Sequence, residues 1–312
     1  MDTAAPEPFT PGTLAASVAA VTEAALASGA LLPIATGVTW IEDGGVRFLV
    51  RVLTNLARKD EDRWRREKDA ATGAPPVNPF LPYDPALFVA GVSPSHVAIL
   101  NKFNVVERHV LVVTRRFEDQ RALLTPADFE ALWRCLAEYP ALGFYNGGAE
   151  AGASQAHKHL QLVPLPLAAE GPPVPIDPLI ARVHPGSPGQ AGELPGFGFL
   201  HAFARLGGDG GGDPGARARA AWQTYRALLA DVGLRAPSGG DAPEMQDGPY
   251  CLLVTREWML VVPRSREHFR SVSINSLGYA GALLVRTEEE LAILRQVGPL
   301  AALRETALPP RP

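Results

Sequence analysis

Tyr145–Pro164 reads YNGGAEAGASQAHKHLQLVP, and its two halves behave differently. The first half is a loop built on Asn146, Gly147 and Gly148, followed by Gly152, Ala153, Ser154 and Gln155. Small side chains there let the backbone approach a ligand, and glycine adopts φ > 0 at little cost. The second half alternates as a strand does from His157 to Val163. Side chains at i, i+2 and i+4 share a face, so His157, His159 and Gln161 point one way. Lys158, Leu160 and Leu162 point the other.

Like-facing neighbours on a strand stand roughly 6.5 to 7 Å apart. Three polar, nitrogen-rich groups in such a row face water or a cavity rather than a dry core. A bare HxH pair also fits a solvated strand face. The glycine-rich loop ahead of it and the glutamine behind favour a site. An imidazole serves as nucleophile, general base or metal ligand. Catalytic zinc takes three protein ligands, and this face offers only two imidazoles, so no metal is expected.

The rest of the composition narrows the partners. At 312 residues the chain suits one large domain or two small ones. Apolar residues make up 46% and charged residues 20%, the balance of a soluble globular protein. A net charge of −4 provides no basic field for nucleic acid, so an anionic substrate must be met by a few local cations. Cys135 and Cys251 are isolated in apolar runs and read as buried small hydrophobes. No Lys or Arg precedes Arg47, and no apolar run reaches the ~20 residues of a membrane span. A cytoplasmic protein with no membrane partner is the expectation.

Along the chain, Leu14–Ala30 has helical spacing with Gly29 as terminator, and Val38–Ile41 and Val46–Leu53 read as paired strands. Arg58–Gly73 is charge-dense and reads as a solvated face. Pro75–Pro85 is too proline-rich for a helix interior or a central strand. Val97–Asn101 and His109–Val113 follow as strands, with His109 read as structural. Thr125 caps a helix with Pro126 at its first position. Phe197–Leu206 reads as a strand, with His201 structural, and Arg217–Val232 as a helix. Tyr250–Thr255 and Met259–Pro263 form a hairpin, and Ala282–Val285 is a strand. Thr287 caps a last helix, with Glu290 as capping-box partner, ending near Val297.

The segment GxSQxHKHLQ (152–161) resembles the active-site segment of the diadenosine tetraphosphate phosphorylases, or ATP adenylyltransferases. These belong to the galactose-1-phosphate uridylyltransferase branch of the histidine-triad superfamily. The hydrolase branch carries a third His where Gln161 stands. ILNKFNVVERHVLVVTRRFEDQ (99–120), YCLLVTREWMLVVPRS (250–265) and INSLGYAGALLVR (274–286) resemble further segments of the same family, in register from about residue 45 to 297.

The resemblance implies an α+β, histidine-triad-like antiparallel sheet with flanking helices, in two sequence halves around one nucleotide cleft. The expected divisions are 1–166, a Pro/Gly-rich linker 167–196, and 197–312. It further implies His159 as nucleophile with His157 and Gln161 as its catalytic partners. Expected nucleotide contacts come from Lys59, Asn101, Lys102, Asn146, Gly152, Ala153, Ser154, Gln155, Asn275, Ser276, Leu277, Ala282 and Arg286. The family often carries Thr at the Leu277 position and Lys at the Arg286 position, so both are departures.

The expected reaction is phosphorolysis of diadenosine tetraphosphate to ATP and ADP through an AMP–histidine intermediate. The partners are diadenosine polyphosphates, ATP, ADP, AMP and phosphate. No tightly bound cofactor is expected, and Mg²⁺ would arrive with the polyphosphate. The rival readings are a histidine-triad hydrolase, an adenylyltransferase with another acceptor (adenylyl sulfate/phosphate exchange), and a non-catalytic nucleotide sensor.

Overall fold

A computed structural model describes residues 7–54, 78–183, 187–207, 213–234 and 243–311. Lys59 and the charge-dense segment 58–73 lie outside these residues.

Among the described residues, fourteen strands are present. In chain order they are β1 Thr36–Asp43, β2 Val46–Leu53, β3 Phe88–Ser93, β4 His96–Leu100 and β5 Val110–Thr114. There follow β6 Ala141–Gly147, β7 His159–Pro164, β8 Ala191–Gly192 and β9 Ala202–Arg205. The last are β10 Tyr250–Val254, β11 Trp258–Pro263, β12 His268–Phe269, β13 Val272–Ser273 and β14 Ala282–Val285. Nine of them build one antiparallel sheet in the order β3-β4-β5-β7-β6-β10-β11-β9-β8. The pairing of β6 with β10 carries this sheet from the N-terminal to the C-terminal half without a break. A smaller sheet, β1-β2-β14, joins the two halves again through the parallel pair β2–β14.

Two large cores, and a small one of Phe80, Val97, Ile99, Leu111 and Val113, follow from the alternation of side chains across the large sheet. On one face Leu160, Leu162, Val110, Val112, Leu252 and Val261 meet helices Leu14–Ser28, Pro126–Leu136 and Pro214–Asp231. On the other, Phe144, Val163, Leu253 and Val262 meet Phe48 and Val50 of the small sheet and helices Glu288–Val297 and Pro299–Thr306. Strands β12 and β13 pair only with each other. The architecture is therefore α+β in three layers, with the nine- and three-stranded sheets facing one another across part of the molecule.

Local signals explain the helix ends. Gly29 terminates the first helix in the left-handed region at φ 74°. Thr125 accepts from the Asp128 N–H while Asp128 returns a bond to the Thr125 N–H, a complete capping box. At Thr287 only half of that motif forms, because the Glu290 carboxylate accepts instead from the Arg286 N–H at 2.6 Å.

Some expectations need correction. Strand β3 follows the proline-rich loop, and the helix Pro299–Thr306 comes after the helix ending at Val297 that was expected to be the last. In Phe197–Leu206 only Ala202–Arg205 is strand. Strand β7 starts at His159, while His157 makes an isolated bridge to Asp119.

Candidate active site

Between the two sheets lies a cavity of about 1130 Å³. It is at the upper end of, or beyond, the usual size of a small-molecule site. Both halves of the chain line it. His159 and Gln161 form part of its floor, while Asn101, Gly152, Asn275 and Arg286 come from its rim.

The alternation that leads into β7 sorts its side chains as the sequence suggests. Lys158 turns away from the cavity and is buried, with Nζ 2.8 Å from Glu118 and 3.2 Å from Asp128. Asp128 in turn accepts from His96 Nε2 at 2.9 Å. Burial works to raise the Asp128 pKa, but the His96 hydrogen bond and the Lys158 charge prevail and hold it at about 2. A buried ion pair thus anchors the strand from behind.

His159 is buried, and its Nδ1–H donates to the His157 carbonyl at 2.8 Å. That bond fixes the tautomer and leaves Nε2 as a lone-pair nitrogen. No described group takes that lone pair. Burial pushes the pKa of His159 down to about 4, against the opposing effect of the His157 carbonyl. The ring is therefore neutral at pH 7, which is the state a nucleophile requires. Phe80 packs against it at 5.1 Å between centroids and helps keep it dry.

His157 has a different place from the one expected. Its Nε2 lies 2.8 Å from the Thr114 carbonyl and must donate to it, so Nδ1 accepts from Asn78 Nδ2 at 3.0 Å. Both nitrogens are occupied and the ring does not line the cavity. Its carbonyl, rather than its imidazole, acts on His159.

The glycine loop also differs in detail. Gly152 has φ +90°, and a Cβ there would stand 2.8 Å from Asn275 Cβ, so no larger residue fits. The Gly152 and Ala153 N–H groups close the loop on Ala149 and Gly148, at 2.8 and 3.1 Å. Of the four residues 152–155 expected at the nucleotide, two spend their N–H groups on the loop itself, which leaves the amides of Ser154 and Gln155, both of which line the cavity. Ala153 does not.

Asn146 is a hub rather than a free ligand group. Its Oδ1 accepts from the Ser276 N–H at 3.0 Å and stands 2.6 Å from Ser276 Oγ, and its Nδ2 reaches the Gly152 carbonyl at 3.4 Å. Ser276 is fully buried and supports the turn that presents Asn275 and Leu277. Asn275, Leu277, Ala282 and Arg286 line the cavity opposite His159's sheet, and Lys102 is exposed at its edge.

Several lining or supporting residues were not among the expected site residues. Arg51, one of two arginines in strand β2, lines the cavity and donates to the Leu167 carbonyl at 2.8 Å. His109 also lines it, with Nδ1 3.2 Å from Asn101 Nδ2. Burial lowers its pKa to about 4, opposed by the nearby Gln161 amide, yet its Nε2 makes no well-directed hydrogen bond among the described residues. Asn78, Thr114 and Gln120 support the histidines from positions distant in sequence, with no local pattern to reveal them. His201, read as structural, is so placed: Nδ1 donates to Phe199 O and Nε2 accepts from Leu194 N, both at 2.8 Å.

The sequence model described as "Ap4A phosphorylase N-terminal domain" matches residues 4–182, more than half of the chain. The chain belongs to the Ap4A phosphorylase family. The model described as "ATP adenylyltransferase C-terminal domain" matches residues 195–309. Diadenosine 5',5'''-P1,P4-tetraphosphate phosphorylase 2 of Saccharomyces cerevisiae is 30% identical over 229 residues. That match covers 64% of this chain and 64% of the relative, slightly under two thirds of its length. The crystal structure of yeast Ap4A phosphorylase Apa2 superposes with a TM-score of 0.75 at 25% identity, covering 97% of both chains. The same yeast protein in complex with Ap4A gives a TM-score of 0.75 at 23% identity, covering 97% of this chain and all of that one. The histidine-triad-like architecture shared with these Ap4A phosphorylase structures matches the fold expected from the motif.

Proposed function

We propose that this protein is a nucleotidyltransferase that phosphorolyses diadenosine tetraphosphate to ATP and ADP. The observation that carries the proposal is the Nε2 lone pair of a buried, neutral His159 in the floor of a cavity large enough for a dinucleotide. The shared family and the Ap4A-bound yeast structure support the choice of substrate.

In the first step Nε2 of His159 attacks the α-phosphorus in line, forming a P–N bond while the P–O bond to the leaving ATP breaks. Nδ1–H, held on the His157 carbonyl, orients the ring and stabilises the positive charge it gains. The Gln161 amide donates to the transferring phosphoryl group, and the Ser154 and Gln155 amides offset the charge of its neighbours. Lys102, Arg51 and Arg286 meet the remaining phosphates at the rim; Lys59 would join them. Inorganic phosphate then attacks the same phosphorus, releases ADP and returns His159 to its neutral form. Mg²⁺ would enter on the polyphosphate rather than on a site of the protein. The site of action we propose is the cytoplasm; among the described residues no helix is long and apolar enough to cross a membrane.

The test is diadenosine tetraphosphate incubated with and without phosphate, with products resolved by chromatography. ADP formed only with phosphate supports the proposal. AMP formed equally in both arms indicates a hydrolase, and turnover only with sulfate a different acceptor. Binding without turnover indicates a sensor.

A further inference from the structure

Strands β6 and β7 pair from Ala141↔Pro164 to Phe144↔Gln161. Two residues further on, the same register sets Asn146 opposite His159. In an unbroken antiparallel ladder the His159 N–H would donate directly to the Asn146 carbonyl. Instead a side-chain amide from elsewhere in the chain fills the gap. Gln120 Oε1 accepts from the His159 N–H at 2.9 Å, and Gln120 Nε2 donates to the Asn146 carbonyl at 2.9 Å. The His159 carbonyl lies 3.4 Å from the same Nε2. This orientation is forced: His159 N–H can only donate and Asn146 C=O can only accept, so the amide fits one way round.

Gln120 is itself immobilised. It is 2% exposed, its N–H donates to the Ala156 carbonyl at 2.8 Å, and its carbonyl accepts from the Tyr145 hydroxyl. The strands part where the inserted amide stands, which is also where the glycine loop begins. On the far side of the amide, Asn146 holds Ser276 and the Gly152 carbonyl. The amide is therefore a spacer of fixed length between the nucleophile and the two segments that line the nucleotide cavity.

We propose that Gln120 is a positioning residue for adenylyl transfer, setting the distance and angle of His159 Nε2 to the bound α-phosphorus without touching substrate. This rests on the adenylyl-transfer reading above. The role demands one group that accepts from a backbone N–H and donates to a backbone carbonyl. A protonated glutamic acid satisfies that demand, a carboxylate does not, and methionine keeps the length but neither bond.

The test is single-turnover formation of AMP-protein from diadenosine tetraphosphate without phosphate, beside AMP affinity by calorimetry. Gln120→Met is expected to slow adduct formation by about tenfold or more, since misplacement by about 1 Å costs up to ~10²-fold. Its AMP affinity should stay within about threefold. Gln120→Glu is expected to be slow at pH 8 and to recover by about fivefold relative to the parent as pH falls toward 5.5, because burial raises a carboxyl pKa.

Rates within about twofold of the parent for both variants would overturn the inference. So would AMP affinity falling in proportion to rate. If Gln120→Met does not fold, the pH profile of Gln120→Glu decides, and a flat ratio to the parent overturns it. Absence of any adduct on the parent protein would sink the adenylyl-transfer reading and this inference with it. A normal parent with unchanged variants would sink this inference alone.

Discussion

Replacing Lys158 by Met should destabilise the protein by about 3 to 4 kcal/mol, at the lower end of the cost of removing one partner from a buried ion pair. The structure sets that magnitude. Lys158 is fully buried and its Nζ has three acceptors: Glu118 at 2.8 Å, Asp128 at 3.2 Å and the Leu123 carbonyl at 3.3 Å. Glu118 is 39% exposed at its side chain, so it regains water and contributes little. Asp128 is only 1% exposed and cannot. It retains His96 at 2.9 Å and the Thr125 N–H and hydroxyl at 2.6 and 2.8 Å, which keeps the loss from reaching the upper end. The assay is urea unfolding of Lys158→Met, Asp128→Asn and the double variant at pH 7. Because Asn retains the shape of the cap, the cycle isolates the charge pair, with an expected coupling of about 2 kcal/mol. A Lys158→Met loss below about 1 kcal/mol, or a coupling below about 0.5 kcal/mol, would mean that the buried charge pair does not hold this strand in place.

The other predictions concern residues that line the cavity. Adduct formation at subsaturating substrate should change by less than about twofold between pH 7 and 5.5, because His159 titrates at about 4; an ordinary imidazole would lose about tenfold with a midpoint near 6.5. His159 and His109 both have folded pKa values near 4, so the unfolded chain binds more protons between pH 6.5 and 4. Stability should therefore fall as pH drops through that window, by on the order of 3 kcal/mol per ring, and chemical unfolding at successive pH values reads it. Gly152→Ala should cost about 2 to 5 kcal/mol, combining a left-handed alanine with an unrelieved contact on Asn275, and should weaken AMP binding measured by calorimetry.

The alternation that puts His159 and Gln161 on one face was legible because a two-residue period needs no tertiary knowledge, but the strand begins at His159 and leaves His157 out of the row. Its flanks were legible too, since Thr125-Pro126 and Tyr250–Pro263 carry local capping and hairpin signals. What escaped depends on partners remote in sequence. Small residues at 152–155 mark a loop but do not say which N–H groups the loop spends on itself, and two of the four are spent. A histidine beside the nucleophile reads as a catalytic group until Asn78, from behind a run of prolines, is seen on its Nδ1. Gln120 ends a stretch that matches the family, yet only the parted ladder shows what its amide does. Strands of two residues such as β8, β12 and β13 are too short for any period to register. The helix Pro299–Thr306 escaped although proline at its first position is a start signal, because the helix ending near Val297 was expected to be the last.

Adenylyl transfer by this site requires Nε2 of His159 to form a bond to phosphorus. The direct measurement is the intact mass of the protein after diadenosine tetraphosphate is added without phosphate, with fragmentation to locate any addition. The expected result is a gain of one adenylyl group on His159, lost as ADP when phosphate is added and absent in His159→Asn. An unmodified protein that still turns over substrate, or an adenylyl group found on another residue, would contradict it.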